Sequence, residues 1–214
     1  MNKKLPKIAI VDYGVGNLYS IQKAFGRLMA EVVITEEAKD IISADALILP
    51  GVGSFEAGIK GLRVRNLEDV IKRFAESGKP VLGICLGAQL LLSKGHEFGE
   101  FSGLGIIPGQ VVKFPKLIVK TKIPHIGWNK LLFKTQKHKD NPLFKSMDKK
   151  GEVYFVHSYI LEPDDKKVVL TTTEYGGHRF CSAIKKGNVY GCQFHPEKSG
   201  PVGLKIIENF IKII

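Results

Sequence analysis

A chain of 214 residues with 44% hydrophobic and 9% aromatic side chains carries enough apolar material for one substantial core, which argues against disorder. Its net charge of +11 comes largely from lysines scattered as short pairs, Lys3-Lys4, Lys149-Lys150, Lys166-Lys167 and Lys185-Lys186, without the aromatic-interleaved basic motif of a nucleic-acid reader. That pattern reads as a solvated surface, with docking to an acidic protein partner as its next use, and nucleic acid is not an expected partner.

No apolar run approaches the roughly 18 residues of a membrane span. The first apolar stretch follows a basic N-terminus and is bounded by Lys7 and Asp12, so it reads as a strand and not as a signal peptide; the expected location is the cytoplasm.

Ile8–Val11 is strand-like, and Asn17–Met29 carries Leu18, Ile21, Phe25 and Leu28 at helical spacing. Glu31–Ile34 and Ala46–Leu49 read as strands, the second buried on both faces. A helix over Asn66–Ser77 leads through Gly78-Lys79-Pro80 into the strand Val81–Ile84, and the apolar run Ala88–Leu92 reads as helical. This alternation predicts a parallel sheet with helices on both faces. The second half is β-rich over Val111–Phe114, Lys130–Phe133, Val153–Ile160, Val168–Thr173 and Val189–Phe194, predicting hairpins and an antiparallel extension of the sheet. An amphipathic helix over Val202–Ile213 closes the chain, and the absence of a linker or repeat makes residues 1–214 one domain.

Cys85, Cys181 and Cys192 show neither CxxC spacing nor an even count, so neither a disulfide framework nor a zinc site is expected. Cys181 and Cys192 read as buried apolar thiols. Cys85 is different: Gly83-Ile84-Cys85-Leu86-Gly87 lies between a buried strand and a helix, the arrangement of a nucleophile held on a sharp turn. Flanking glycines remove side chains that would clash there, and a helix N-terminus favours the thiolate and offers N–H groups to an oxyanion. Gln89 lies one helical turn beyond the sulfur, with its amide toward the pocket.

Among the histidines, His195 stands in Phe194-His195-Pro196-Glu197 at a strand end. Pro196 biases it toward extended backbone, and in an extended segment Glu197 would share its side and orient the imidazole. Pro50-Gly51-Val52-Gly53 follows the strand Ala46–Leu49, at the strand end where open α/β sheets bind ligands.

Together with Asp12–Leu18, Pro124–Asn129 and Phe155–Tyr159, these segments resemble the triad-type (class I) glutamine amidotransferases from about residue 8 to the C-terminus. The resemblance is closest to the HisH family, the glutaminase subunits of imidazole glycerol phosphate synthase. It implies a three-layer, flavodoxin-like α/β fold, L-glutamine as substrate, and a triad of Cys85, His195 and Glu197. It also implies an oxyanion hole at Gly53 and Leu86, and substrate contacts at Gly51, Gln89, Glu97, Ser158 and Tyr159. Asn17, Trp128, Tyr154 and Lys198 fall where the family meets its synthase subunit.

That partner would be a HisF-type (β/α)₈ cyclase in histidine biosynthesis, which receives the ammonia and whose loading awakens a nearly silent glutaminase through the Pro50–Gly53 loop. The other recipient carried forward is the synthase subunit of a surface-sugar amidotransferase, served by a HisH-like paralogue. A glutamine-independent cysteine hydrolase of similar fold and a non-catalytic binding subunit are the rivals from other classes. No cofactor and no metal are expected.

Overall fold

The computed structural model describes residues 5–28, 30–116, 118–119, 121–148 and 151–214. Its first half lays down β1 (Lys7–Val11), α1 (Leu18–Gly26), β2 (Glu31–Thr35), α2 (Ala38–Ser43), β3 (Ala46–Leu49), α3 (Phe55–Val64), α4 (Glu68–Glu76), β4 (Val81–Ile84) and α5 (Leu86–Leu90). Then come β5 (Leu92–Gly95), β6 (Phe101–Ser102), β7 (Ile107–Lys113), β8 (His125–Lys130), β9 (Leu132–Phe133), α6 (Gln136–Lys139), β10 (Glu152–His157) and β11 (Tyr159–Pro163). The chain finishes with β12 (Val169–Tyr175), β13 (His178–Lys186), β14 (Val189–Cys192) and α7 (Gly200–Ile211).

The parallel strands run side by side in the order β2-β1-β3-β4-β14. From β14 the sheet continues antiparallel through β13 and β11 to β7, with β12 and β9 added off β13. Successive strand residues face opposite sides, so one strand feeds two cores. Ile8 and Ile10 pack with Ile21 and Phe25 of α1 and with Ile206, Ile207 and Phe210 of α7. Ala9 and Val11 pack on the other face with Ile41 of α2, Ile59 and Leu62 of α3, and Ile71 and Phe74 of α4. The result is the expected three-layer α/β architecture.

Local chemistry starts the flanking helices. Asn17 caps α1 by accepting from the Ser20 N–H, and Ser54 caps α3 by accepting from the Ala57 N–H. Met29, the predicted end of the first helix, lies outside the described residues.

Several expectations need correction. The apolar run after Cys85 is not one long helix: α5 stops at Leu90, and Leu92–Gly95 is a strand paired parallel to β7. A helix of five residues has little macrodipole, so any stabilisation of charge at Cys85 rests on individual N–H groups. The run Val153–Ile160 is two strands in two sheets, β10 paired with β8 and β11 with β7, and the chain crosses between them at Ser158. Buried residues alternate at Val153, Phe155 and His157 and then lose phase, so the slip in period marks the crossing. The run Lys130–Phe133 likewise divides at Leu131 between β8 and β9. Helix α3 and the nine-residue strand β13 had no counterpart in the sequence reading.

Candidate active site

Four loops meet at the C-terminal ends of adjacent parallel strands, where ligands bind in open α/β sheets. Residues 12–17 follow β1, 50–54 follow β3, Cys85 follows β4, and residues 193–199 follow β14.

Cys85 has φ 52° and ψ −107°, a backbone that a side chain adopts only under strain of about 1–3 kcal/mol. The surroundings impose it. A Cβ at Gly83 would come within 2.8 Å of the Ala88 backbone, and one at Gly87 would overlap the Leu49 carbonyl. The Cys85 N–H donates to the Cys192 carbonyl at 2.7 Å, which ties the turn to the end of β14. Its Sγ lies 3.9 Å from the Val156 carbonyl oxygen and accepts from Gln193 Nε2 at 3.7 Å.

His195 enters on that same strand end. Its N–H donates to the Tyr154 carbonyl at 2.9 Å, and its carbonyl accepts from Ser199 Oγ at 2.6 Å. Nδ1 lies 2.8 Å from Glu197 Oε1, and both side chains are almost wholly buried. A carboxylate only accepts, so Nδ1 carries a proton in either charge state of the ring, and Nε2 is the nitrogen that gains or loses one. Nε2 is buried without a hydrogen-bond partner. Burial lowers the His195 pKa, but Cys85 and Glu197 outweigh it and push it up to about 10. The geometry of Glu197 differs from the extended segment expected from the sequence. Pro196–Lys198 is a 3₁₀ turn, and the turn, not a shared strand face, returns the carboxylate to the ring.

A cavity of about 400 Å³ opens over Cys85, lined by Val52, Gly53, Leu86, Gln89, Glu97, Pro124, Val156, His157, Ser158, Tyr159 and Lys198. It gathers Gly53, Leu86, Gln89, Glu97, Ser158 and Tyr159 from four separate segments of the chain. Gly51 does not line it. A Cβ there would meet the Tyr13 hydroxyl at 2.5 Å and Leu86 Cβ at 2.7 Å, so the absence of a side chain at this position permits close packing beneath the loop. Tyr13 donates to the Pro50 carbonyl and holds the loop's root, while Gly53, at φ +119°, has no atom within 4 Å of the position a Cβ would take. Glu97 accepts from the Phe55 N–H at 2.7 Å, capping α3, and its charge together with burial raises the Tyr159 pKa, burial being the larger cause.

Gln89 is more constrained than expected. Its amide nitrogen donates to the Tyr159 carbonyl at 3.3 Å and to Gln193 Oε1 at 3.2 Å. Both its N–H groups are thus used, and its oxygen is the atom left for a substrate donor.

Four residues around the cavity escaped the sequence reading: Tyr13, His125, His157 and Gln193. Gln193 had a usable signal, a lone amide in the apolar run Val189–Phe194. His157 donates from Nδ1 to the Tyr159 carbonyl at 2.8 Å and accepts at Nε2 from His125 Nδ1 at 3.2 Å, within a nest of Phe114, Phe155, Tyr175 and Phe180. Burial pushes His125 down to about 4. Burial, with His125 and His195 nearby, pushes His157 down to about 3 against the hydrogen bond to Tyr159.

A consequence for stability follows. From pH 6.5 down to these values the unfolded chain binds more protons at His125 and His157 than the folded one, so stability falls with falling pH. His195 acts oppositely, its contribution being full below pH 6.5 and lost as pH rises toward 10. The melting temperature should therefore peak near neutrality and fall on the acid side. His157→Gln should flatten that acid limb, and an unchanged limb would show that the histidine pair does not cause it.

The remaining predicted positions lie at the rim. Asn17 and Lys198 are exposed, Trp128 is 52% exposed, and Tyr154 is half-buried. Trp128 and Tyr154 are register partners in β8 and β10, their rings edge-on at 6.0 Å, and Tyr154 also bridges to His195. Among the described residues, no cluster of three or more His, Cys, Asp or Glu could hold a metal ion. No helix among them is long and apolar enough to cross a membrane.

A nucleophile elbow facing a carboxylate-bound histidine on a mostly parallel sheet defines a class, and the family model that matches residues 9–214 is described as glutamine amidotransferase class-I. The imidazole glycerol phosphate synthase subunit HisH 1 of Legionella pneumophila (strain Lens) is 49% identical, covering 98% of this chain and 100% of its own length. The HisH subunit of Aquifex aeolicus is 48% identical over 95% of each chain. The solved structure of PurLQS from Thermotoga maritima shares the fold, with a TM-score of 0.75 at 19% identity over 98% of this chain and 99% of that one. The chain belongs to the class-I glutamine amidotransferases and, within them, to the HisH subunits of imidazole glycerol phosphate synthase.

Proposed function

We propose that this chain hydrolyses L-glutamine to glutamate and ammonia with Cys85 as nucleophile, and passes the ammonia to a HisF-type (β/α)₈ cyclase for imidazole glycerol phosphate synthesis. The observation that carries the chemistry is the strained Cys85 at the floor of a cavity beside His195, whose Nδ1 is held by buried Glu197 at 2.8 Å. Cys85 Sγ gives its proton to His195 Nε2 and attacks the carboxamide carbon. The oxyanion takes N–H groups of Leu86 and Gly53. His195 returns the proton to nitrogen as the C–N bond breaks, releasing ammonia and leaving a glutamyl thioester. Water, deprotonated by His195, then attacks the thioester; the C–S bond breaks and glutamate and the thiol are regenerated. Gln89, Glu97, Ser158 and Tyr159 hold the substrate.

The docking face we assign to the cyclase is the outer side of the two-stranded β8–β10 sheet, where Ile126 is 59% and Trp128 52% exposed, extended by Asn17 and Lys198. Its strand β10 supplies both the Tyr154 carbonyl that positions His195 and the Val156 carbonyl beside Cys85. Docking there acts directly on the reacting groups, which supports a glutaminase that waits for its partner. The names of the curated relatives favour the histidine route over a surface-sugar recipient.

Reconstitution tests the proposal. With a HisF-type subunit and its nucleotide substrate, glutamine should drive formation of imidazole glycerol phosphate, while the isolated chain turns glutamine over slowly. Failure to couple to that subunit, or full glutaminase activity without a partner, would contradict it.

A further inference from the structure

Gln193 is wholly buried beneath the cavity, and the bonding around it leaves its amide a single orientation. The Tyr159 carbonyl can only accept, so Gln89 must present its NH₂ there. The same NH₂ reaches Gln193 at 3.2 Å, so Gln193 must turn its oxygen to Gln89. Its own NH₂ is then directed at Cys85 Sγ, 3.7 Å away. His157 fixes the start of this chain, since its Nδ1–H donates to the same Tyr159 carbonyl. The backbone is fixed too: Gln193 N–H donates to the Ser182 carbonyl at 2.9 Å, one residue beyond the Cys192 carbonyl that holds the Cys85 N–H.

We infer that Gln193 is a further catalytic residue, whose side-chain N–H stabilises negative charge on Cys85 Sγ before attack and again when the thioester carbon releases it. The inference rests on the reading of Cys85 as nucleophile. The chemistry divides cleanly: His195 takes the proton, and Gln193, which has no role in proton transfer, receives the sulfur's charge. A donor to an anion in a water-poor site is worth more than one in solvent, and removal of one such donor costs about tenfold or more.

The experiment uses the complex with its synthase partner and two variants. Gln193→Met keeps much of the volume and removes the donor. Gln193→Glu keeps an acceptor for Gln89 and places an oxygen against the sulfur. Each is measured for glutamine turnover, for ammonia-driven synthesis and for Cys85 alkylation by iodoacetamide at about pH 7 and about pH 10, the Cys85→Ala variant defining the background. For both variants we expect kcat with glutamine to fall about tenfold with little change in KM. Alkylation should slow by a similar factor at the lower pH and hardly at all at the higher one, with ammonia-driven synthesis retained. Unchanged alkylation at neutral pH, or a raised KM with unchanged kcat, would overturn the inference by showing that Gln193 serves only to hold Gln89. Glutamine hydrolysis that persists in Cys85→Ala would instead remove the nucleophile assignment on which it rests.

Discussion

Cys85→Ala should lower glutamine-driven turnover of the assembled enzyme by about 10⁴-fold or more, while synthesis driven by added ammonium salt continues. The substitution removes the atom that forms the thioester, and neither His195 nor a bound water replaces it. Stability should not fall, because the elbow's strain comes from φ 52° in a residue with a side chain, and alanine tolerates that angle no worse than cysteine. The paired assay separates loss of the ammonia source from loss of docking, since ammonia-driven synthesis depends on the partner's site. Loss of both activities would place Cys85 in the interface or the fold instead.

Glu197→Gln should have the next largest effect, about 10²- to 10⁴-fold in kcat with glutamine. The carboxylate accepts from His195 Nδ1 at 2.8 Å and both groups are buried, so it selects the tautomer with a free Nε2 lone pair. An amide can turn its NH₂ toward the ring, which places the proton on Nε2 and blocks acceptance from Cys85. Loss of the negative charge also removes the attraction of one of the two partners that raise the His195 pKa toward 10. The activity of the variant should therefore fall without a matching change in KM, and an unchanged kcat would show that Glu197 merely packs beneath the loop.

The candidate site was legible in the sequence wherever its chemistry is written in contiguous residues. Gly83–Gly87 carries its own geometric reason and His195–Glu197 its own pairing, although a 3₁₀ turn and not a shared strand face makes that pair, and each occupies the end of a strand that the apolar runs already marked. The parallel half was legible for the same reason, since β1, β3 and β4 are short apolar runs between helices. What stayed hidden depends on residues brought together by the sheet. Gln193 gains meaning only from Gln89 and Tyr159, which are remote in sequence, and His157 only from His125. The crossing at Ser158 was concealed because the β-rich run reads straight through it, and only the slip of phase between His157 and Ile160 betrays it. The short α5 misled for another reason: Leu90, Leu91 and Leu92 suit a buried helix and a buried strand equally. Gly51 shows how a motif glycine can matter through close packing, here against Tyr13 and Leu86.

The most direct test is to trap the covalent intermediate. The complex is mixed with isotopically labelled glutamine, quenched in acid during turnover, digested, and the peptide bearing Cys85 is weighed by mass spectrometry. A glutamyl adduct on Cys85, absent from Cys85→Ala and accumulating in a variant with impaired His195, is the predicted result. Steady hydrolysis with no adduct on Cys85, or with the label on another residue, would contradict nucleophilic catalysis at this elbow.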